Sequence, residues 1–274
     1  MNEVAVVVSS CDKYCDLWEP FFTLFFRYWP DCPYPVYLGS NHQIYPDARV
    51  KTIPVGEDEN WSSGFRRLLE QIPHPYVILL LEDYLIDKPV DTNRFKSLFN
   101  YMKKRKAGCL RLYPRPGPEI PCQDNPDVGE IRKGADYRLS LQAALWDKQI
   151  LLGLLREGET AWDLEVLGSR RSDKLEVPFL SVWSNTAAPI TYFRTAVAYG
   201  KWVRDAVRLC EREGIKVDLG IRPCESETWL ARLRRSFRRS RLARSQLVRS
   251  MVLLKVALKV TVRRLISCIP KQGG

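Results

Sequence analysis

The residues best suited to chemistry in this chain are acids set among apolar neighbours. In VILLLEDYLID, Val77 to Asp87, an apolar run ends in Glu82 and Asp83 before the chain turns hydrophobic again. A carboxylate pair at the end of a buried strand can hold a divalent cation through oxygen ligands, or accept hydrogen bonds from a sugar or ribose. It can equally do no more than satisfy loop N–H groups. A second pair, Asp163 and Glu165, lies in AWDLEVLGS. An acid in an apolar, aromatic setting can have the raised pKa that suits a general base. Glu165 follows Trp162 by three residues and shares its side if the stretch is helical; Asp163 is the second choice. The competing reading is a solvated helix whose acids face Arg170 and Arg171. Trp162 and Trp146 could stack on the apolar face of a sugar ring or pack in the core.

Other chemistries have little material. The only histidines are His42 and His74, the latter between two prolines. None of the eight cysteines forms a CxxC pair or joins a Cys/His cluster of zinc spacing, so they read as reduced, buried small hydrophobes. Neither GxGxxG nor GxxxxGK[ST] occurs, which gives no support to a Rossmann dinucleotide site or a P-loop.

The elements that must position these acids can be read from periodicity. EVAVVVSS reads as a buried first strand, and DLWEPFFTLFFRYW as a helix with aromatics recurring at three and four, ended by Pro30. YPVYLGSN and ARVKTIPV read as the second and third strands. Ser62 or Ser63 can cap a helix through FRRLLEQI that Pro73 stops. The acidic stretch is then the fourth strand, followed by a helix from about Asp91 to Lys106. Such alternation argues for an α/β fold with a largely parallel sheet flanked by helices, whose ligand-binding loops follow the strands. SSCD, LGSN and LEDY would lie along that edge. Tyr113 to Gly129, rich in proline and glycine, reads as a long loop. After it come a strand in DYRLSLQAALW, a short helix in DKQILLGLLREG, an acidic helical turn, a strand in LEVPFLSVW, and an amphipathic helix in GKWVRDAVRLCEREGI ended by Gly214.

In this order of elements, roughly Met1 to Pro223, the chain resembles the GT-A class of nucleotide-sugar glycosyltransferases, in which a strand ends in Asp-x-Asp or Glu-Asp-Asp. It is also similar to a group of bacterial sugar transferases. Their motifs appear here as LEDY, as SLQ at Ser140 to Gln142, as WDLE at Trp162 to Glu165 followed by Gly168 and Ser169, and as GKW at Gly200 to Trp202. The resemblance implies a GT-A-like (Rossmann-like) domain over residues 1–226 that binds a nucleotide-sugar donor. Ser9, Ser10, Asp12, Asn41, Glu82, Asp83 and Tyr84 would contact the donor, and Gln142 and Trp162 the acceptor or sugar. Glu165 or Asp163 would be the base of an inverting transfer. The chain departs from the pattern at Tyr84, which stands where the last acid would be the main metal contact; a phenol is a poor ligand for Mg²⁺ or Mn²⁺. Either Asp83 binds the ion with water and diphosphate, or Arg138, Arg194 and Lys201 neutralise the leaving group.

Net charge is +11 and unevenly placed. Thr228 to Gly274 holds ten Arg and three Lys and no acid, leaving 30 basic and 32 acidic residues in the first 227. In that tail, residues 227–274, Leu247, Met251, Leu254, Leu258, Val262, Leu265 and Ile269 recur at three and four opposite Arg249, Lys255, Lys259 and Arg263. The longest uninterrupted apolar run, Met251 to Leu254, is far below the roughly 18 residues a bilayer span needs. A cationic face opposite a Leu/Val face predicts a helix over 228–269 lying on an anionic membrane. Packing on a partner or on the domain itself is the rival. Near absence of stacking aromatics argues against nucleic acid. No basic segment leads into an apolar leader of about 7–15 residues, so the expectation is a cytoplasmic protein, peripheral on the inner face of the membrane. The expected acceptor is a glycan or lipid-linked glycan. The rival functions are a non-catalytic membrane adaptor on a degenerate GT-A-like fold and a nucleotidyltransferase.

Overall fold

The computed structural model describes residues 3–57, 59–185, 187–193 and 195–225. The tail, expected as a membrane-surface helix, and Arg194 lie outside the described residues. The run VAVVVS forms β1 (Val4–Ser9), buried throughout, and a 3-10 turn over Asp12–Leu17 leads into α1 (Trp18–Tyr28). There follow β2 (Val36–Ser40), β3 (Val50–Pro54), α2 (Trp61–Gln71), β4 (Tyr76–Leu81), β5 (Leu85–Ile86) and α3 (Thr92–Lys104). The second half contributes β6 (Cys109–Arg111), β7 (Ile120–Cys122), β8 (Asn125–Glu130), β9 (Ala144–Asp147) and α4 (Lys148–Leu154). A helical turn α5 (Ala161–Asp163), a π turn (Leu164–Gly168) and α6 (Ser169–Ser172) come next. The body ends with β10 (Phe179–Val182), β11 (Tyr192–Phe193), β12 (Val197–Ala198), β13 (Lys201–Trp202) and α7 (Arg204–Arg212).

Nine strands make the central sheet, in the order β3-β2-β1-β4-β9-β6-β10-β8-β7. Neighbours from β3 to β4 are parallel, as are β6 and β10; β9 runs against both β4 and β6, and β8 against β10 and β7. This is the mostly parallel, helix-flanked GT-A-like architecture that the resemblance implies. Alternate residues of β1 serve opposite faces. Val4, Val6 and Val8 meet a core containing Phe21, Phe25, Trp29 and Phe95 from α1 and α3. Ala5 and Val7 meet one containing Phe65, Leu68 and Leu151 from α2 and α4. Across the first face Trp29 stacks on Phe95 at 4.7 Å, and its indole N–H donates to Thr92 Oγ1 at 2.8 Å. Trp146, weighed as a sugar platform, is fully buried against Phe179.

Four local expectations need correction. The cap of α2 is Asn60, whose Oδ1 accepts from Ser63 N at 2.9 Å, so Ser62 and Ser63 lie inside the first turn. The proline-rich Tyr113 to Gly129 segment is in part an edge hairpin, β7 with β8; prolines are tolerated there because one side of an edge strand makes no ladder bonds. In DYRLSLQAALW only the end is strand, since the N–H groups of Leu139 and Leu141 are taken by side chains. GKW does not start a helix. Tyr199 and Gly200, at φ 54° and 74°, turn the β12–β13 hairpin, and α7 begins after it. The seven cysteines among the described residues are free thiols, and no helix among those residues is long and apolar enough to cross a membrane.

Candidate active site

The loops after β1, β2 and β4 open on one edge of the sheet and floor a cavity of about 750 Å³. Ser9, Ser10, Asn41, Glu82, Asp83 and Tyr84 line it from this edge, joined by Gln142, Trp162 and Glu165 from the second half. Ser10 Oγ is fixed by the Trp18 indole N–H at 2.8 Å. Asp12 is on no cavity wall. Its carboxylate accepts from the backbone N–H of Asn41, at 2.9 Å, and of His42 and Gln43, while Asn41 Oδ1 accepts from Asp12 N. Asp12 therefore fastens the first loop to the second and does not line the cavity where it was expected to contact the donor. The amide of Asn41 is also spent, donating to Gly56 O at 3.1 Å.

Two sequence motifs meet to place Glu165. Glu165 Oε1 accepts from Leu141 N at 2.8 Å and Ser140 Oγ at 3.0 Å. Ser169 Oγ takes Leu139 N at 3.0 Å and donates to the Leu139 and Glu165 carbonyls. This close approach needs Gly168, where a Cβ would meet Leu164 Cδ1 at 2.8 Å and Leu139 Cδ1 at 3.0 Å. Both hydrogen bonds to the Glu165 carboxylate from described residues end on Oε1, and the residue lines the cavity wall. Burial pushes the Glu165 pKa up, against the pull of those two donors and of Arg111. Asp163, by contrast, closes a capping box, its carboxylate accepting from Thr160 N at 3.0 Å, and it lines no part of the cavity. Its expected role as alternative base is withdrawn. The solvated-helix reading fails too: Arg171 pairs at 2.6 and 2.7 Å with Glu159, which is 1% exposed, and Arg170 approaches Asp136 at 3.9 Å.

Glu82 is 8% exposed, and burial together with the Asp83 charge pushes its pKa up; Arg222 pulls the other way. Burial raises Asp83 as well. Tyr84, 6% exposed, stacks on Tyr192 at 4.7 Å and accepts a hydrogen bond from Gln142 Nε2 at 3.1 Å. Burial, Tyr192 and the charges of Asp83, Glu165 and Glu82 push its pKa far above ten, so it is a neutral phenol in the third position of the acidic motif. Among the described residues no three His, Cys, Asp or Glu side chains converge on a point that could hold a cation. Asp83 could therefore supply one or two oxygens to a Mg²⁺ or Mn²⁺ ion, and the rest of its shell would have to come from ligand and water.

Of the expected neutralising cations, Arg138 and Lys201 are not brought to the cavity, and Arg194 lies outside the described residues. Arg138 is 1% exposed and buried under carbonyls, donating to Ile131 O and Val177 O with its guanidinium 4.5 Å above the Phe179 ring. Lys201 is exposed on the hairpin and outside the wall. Residues that sequence reasoning missed include Tyr14, Trp61, Phe65 and Thr160 on the wall, with Arg111 behind Glu165. Arg111, 1% exposed, donates to the carbonyls of Pro116, Tyr137 and Arg138. An arginine inside the apolar CLRLY was the available signal. Trp162 stands 74% exposed and Tyr199 84% exposed at the cavity. Behind Tyr14, Arg222 pairs with both oxygens of Asp16 at 2.8 Å, its guanidinium over the Tyr14 ring.

No family model and no curated protein matches the chain. Among solved structures it is similar to residues 1–349 of TarS from S. aureus, at 12% identity and a TM-score of 0.46, over 70% of this chain and 60% of that one. It is also similar to the same fragment in complex with UDP-GlcNAc, at 12% identity and a TM-score of 0.43, over 73% and 60%. A third likeness is to 2-C-methyl-D-erythritol 4-phosphate cytidylyltransferase from Thermus thermophilus, at 14% identity and a TM-score of 0.42, over 78% and 100%. The chain thus spans about 60% of the TarS fragment, and these likenesses concern the fold alone.

Proposed function

We propose that the chain is a glycosyltransferase that moves a sugar from a nucleotide-sugar donor to a hydroxyl of a glycan or lipid-linked glycan, with inversion. The observation that carries this reading is Glu165, held by Ser140 and Leu141 through one oxygen, in the same cavity as the loops after β1, β2 and β4. The acceptor oxygen attacks the anomeric carbon and its proton passes to Glu165 Oε2. The bond from that carbon to the diphosphate oxygen breaks, and the nucleotide leaves with the electron pair. A base so placed contributes about 10²–10⁴-fold. In Glu165→Gln the amide oxygen can still accept from Ser140 and Leu141, so turnover should fall by about that factor while donor affinity stays. Undiminished turnover removes Glu165 from the role.

Ser9, Ser10 and Asn41 are proposed to lie at the nucleotide, and Gln142 and Trp162 at the sugars. The described lining residues include three acids, and the diphosphate is proposed to arrive with Mg²⁺ or Mn²⁺, to which Asp83 adds a ligand. The loop after β1, SSCDKY, is not the Gly-rich basic loop of a nucleotidyltransferase. Residues 1–226 are proposed as the catalytic domain. The basic amphipathic tail is proposed to dock on the cytoplasmic face of an anionic membrane, which raises the effective concentration of a lipid-linked acceptor.

A further inference from the structure

The hydrogen bonds around Tyr84 run in one direction. The backbone N–H of Ala143 can only donate, and it donates to Tyr192 Oη at 3.1 Å. Tyr192 Oη donates to Gln142 Oε1 at 3.0 Å, which turns Nε2 of that amide toward Tyr84, and Nε2 donates to Tyr84 Oη at 3.1 Å. Tyr84 thus receives the last bond of the series, and its own proton meets no acceptor among the described residues. The ring cannot swing away from this arrangement, because it is 6% exposed and stacked on Tyr192 with 18° between the planes. Tyr84 shares the cavity wall with Asp83 and Glu165.

We propose that Tyr84 donates its hydroxyl proton to a hydroxyl oxygen of the sugar bound in the cavity, with Gln142 and Tyr192 as positioning residues. This rests on the glycosyltransferase reading. The Glu165 carboxylate that serves as base can only accept, so a ligand group suited to it and to Tyr84 gives a proton to the carboxylate and takes one from the phenol. A sugar hydroxyl does both. A diphosphate oxygen has no proton to give to Glu165, and its place is at the ion that Asp83 helps to hold. The residue that breaks the acidic motif therefore reads the sugar, and it contributes nothing to metal binding.

The test is calorimetric titration, with Mn²⁺ present, of UDP- and GDP-linked hexoses and of free UDP and GDP into wild type, Tyr84→Phe and Gln142→Glu. Tyr84→Phe should weaken the best hexose-linked nucleotide by roughly 5- to 10-fold, the worth of one such bond, and leave the matching free nucleotide unchanged. Gln142→Glu keeps the tyrosine but reverses the series: the introduced carboxylate accepts from both phenols, turning the Tyr84 proton away from the cavity. It should reproduce the selective loss, and it serves as the independent variant should Tyr84→Phe fold poorly. Equal weakening of hexose-linked and free nucleotides, no weakening in Tyr84→Phe, or wild-type binding in Gln142→Glu overturns the proposal. A wild type that binds the free nucleotides and gains nothing from the hexose also overturns it. Binding of neither class by wild type overturns the glycosyltransferase reading itself.

Discussion

Replacing Glu82 by Gln should stabilise the protein increasingly as pH rises above about 4.5. Glu82 is 8% exposed, and burial beside Asp83 lifts its pKa from the usual 4.5 toward about 8. A carboxyl whose folded pKa exceeds its unfolded one binds more protons when folded. Its contribution is therefore complete below about pH 4.5 and is lost as pH rises toward about 8. Each unit of difference is worth about 1.4 kcal/mol. Because the pair shares its charge, one unit is the conservative figure, which for a body of this size corresponds to a Tm difference of roughly 3–5 °C. Gln mimics the protonated acid in shape. The variant should melt with wild type at pH 4, below the unfolded pKa, within about 0.5 kcal/mol, and above it at pH 8.5, with EDTA present to keep cations out. Differential scanning calorimetry from pH 4 to 8.5 measures the gap. A gap that does not change with pH, or a variant less stable than wild type at pH 8.5, would refute the assignment of a raised pKa to Glu82.

Arg171→Met should cost about 3–5 kcal/mol in urea denaturation, because Glu159 would be left charged and buried without its bidentate partner; a loss under about 1 kcal/mol would mean that Glu159 takes up a proton or reaches water. Deleting the residues after Ser226 should release the protein from anionic liposomes in a flotation assay, and continued binding would refute the proposed role of the tail.

The elements that carry the first half of the sheet were legible because each has one strong period. The β-branched VAVVVS and the apolar VILLL are long enough to be read alone, and α1 repeats its aromatics at helical spacing. β6 was missed because three residues carry no period, and the β7–β8 hairpin because its prolines imitate a loop. Of the residues that line the cavity, Glu82, Asp83 and Glu165 stood out as acids set among apolar neighbours, and Ser9 and Ser10 were singled out mainly by the resemblance. Charge alone misled at Arg138, whose guanidinium is occupied by backbone carbonyls inside the protein, and at Asp12 and Asp163, whose carboxylates bind backbone N–H groups. The partners in those pairings are set by the folded chain, as are those of Tyr84, which lies 58 residues from Gln142. Composition and local spacing do not encode such contacts.

The pairing of Arg222 with Asp16 has a mechanical consequence. Pro223 and Glu225 are sewn to Trp202 by two backbone hydrogen bonds, and Arg222 grips the turn that follows β1, donating also to Lys13 O at 2.9 Å. Arg222 therefore couples the last described residues to the 3-10 turn whose Tyr14 lines the cavity, so two stretches 206 residues apart in sequence are fastened at one place beside it.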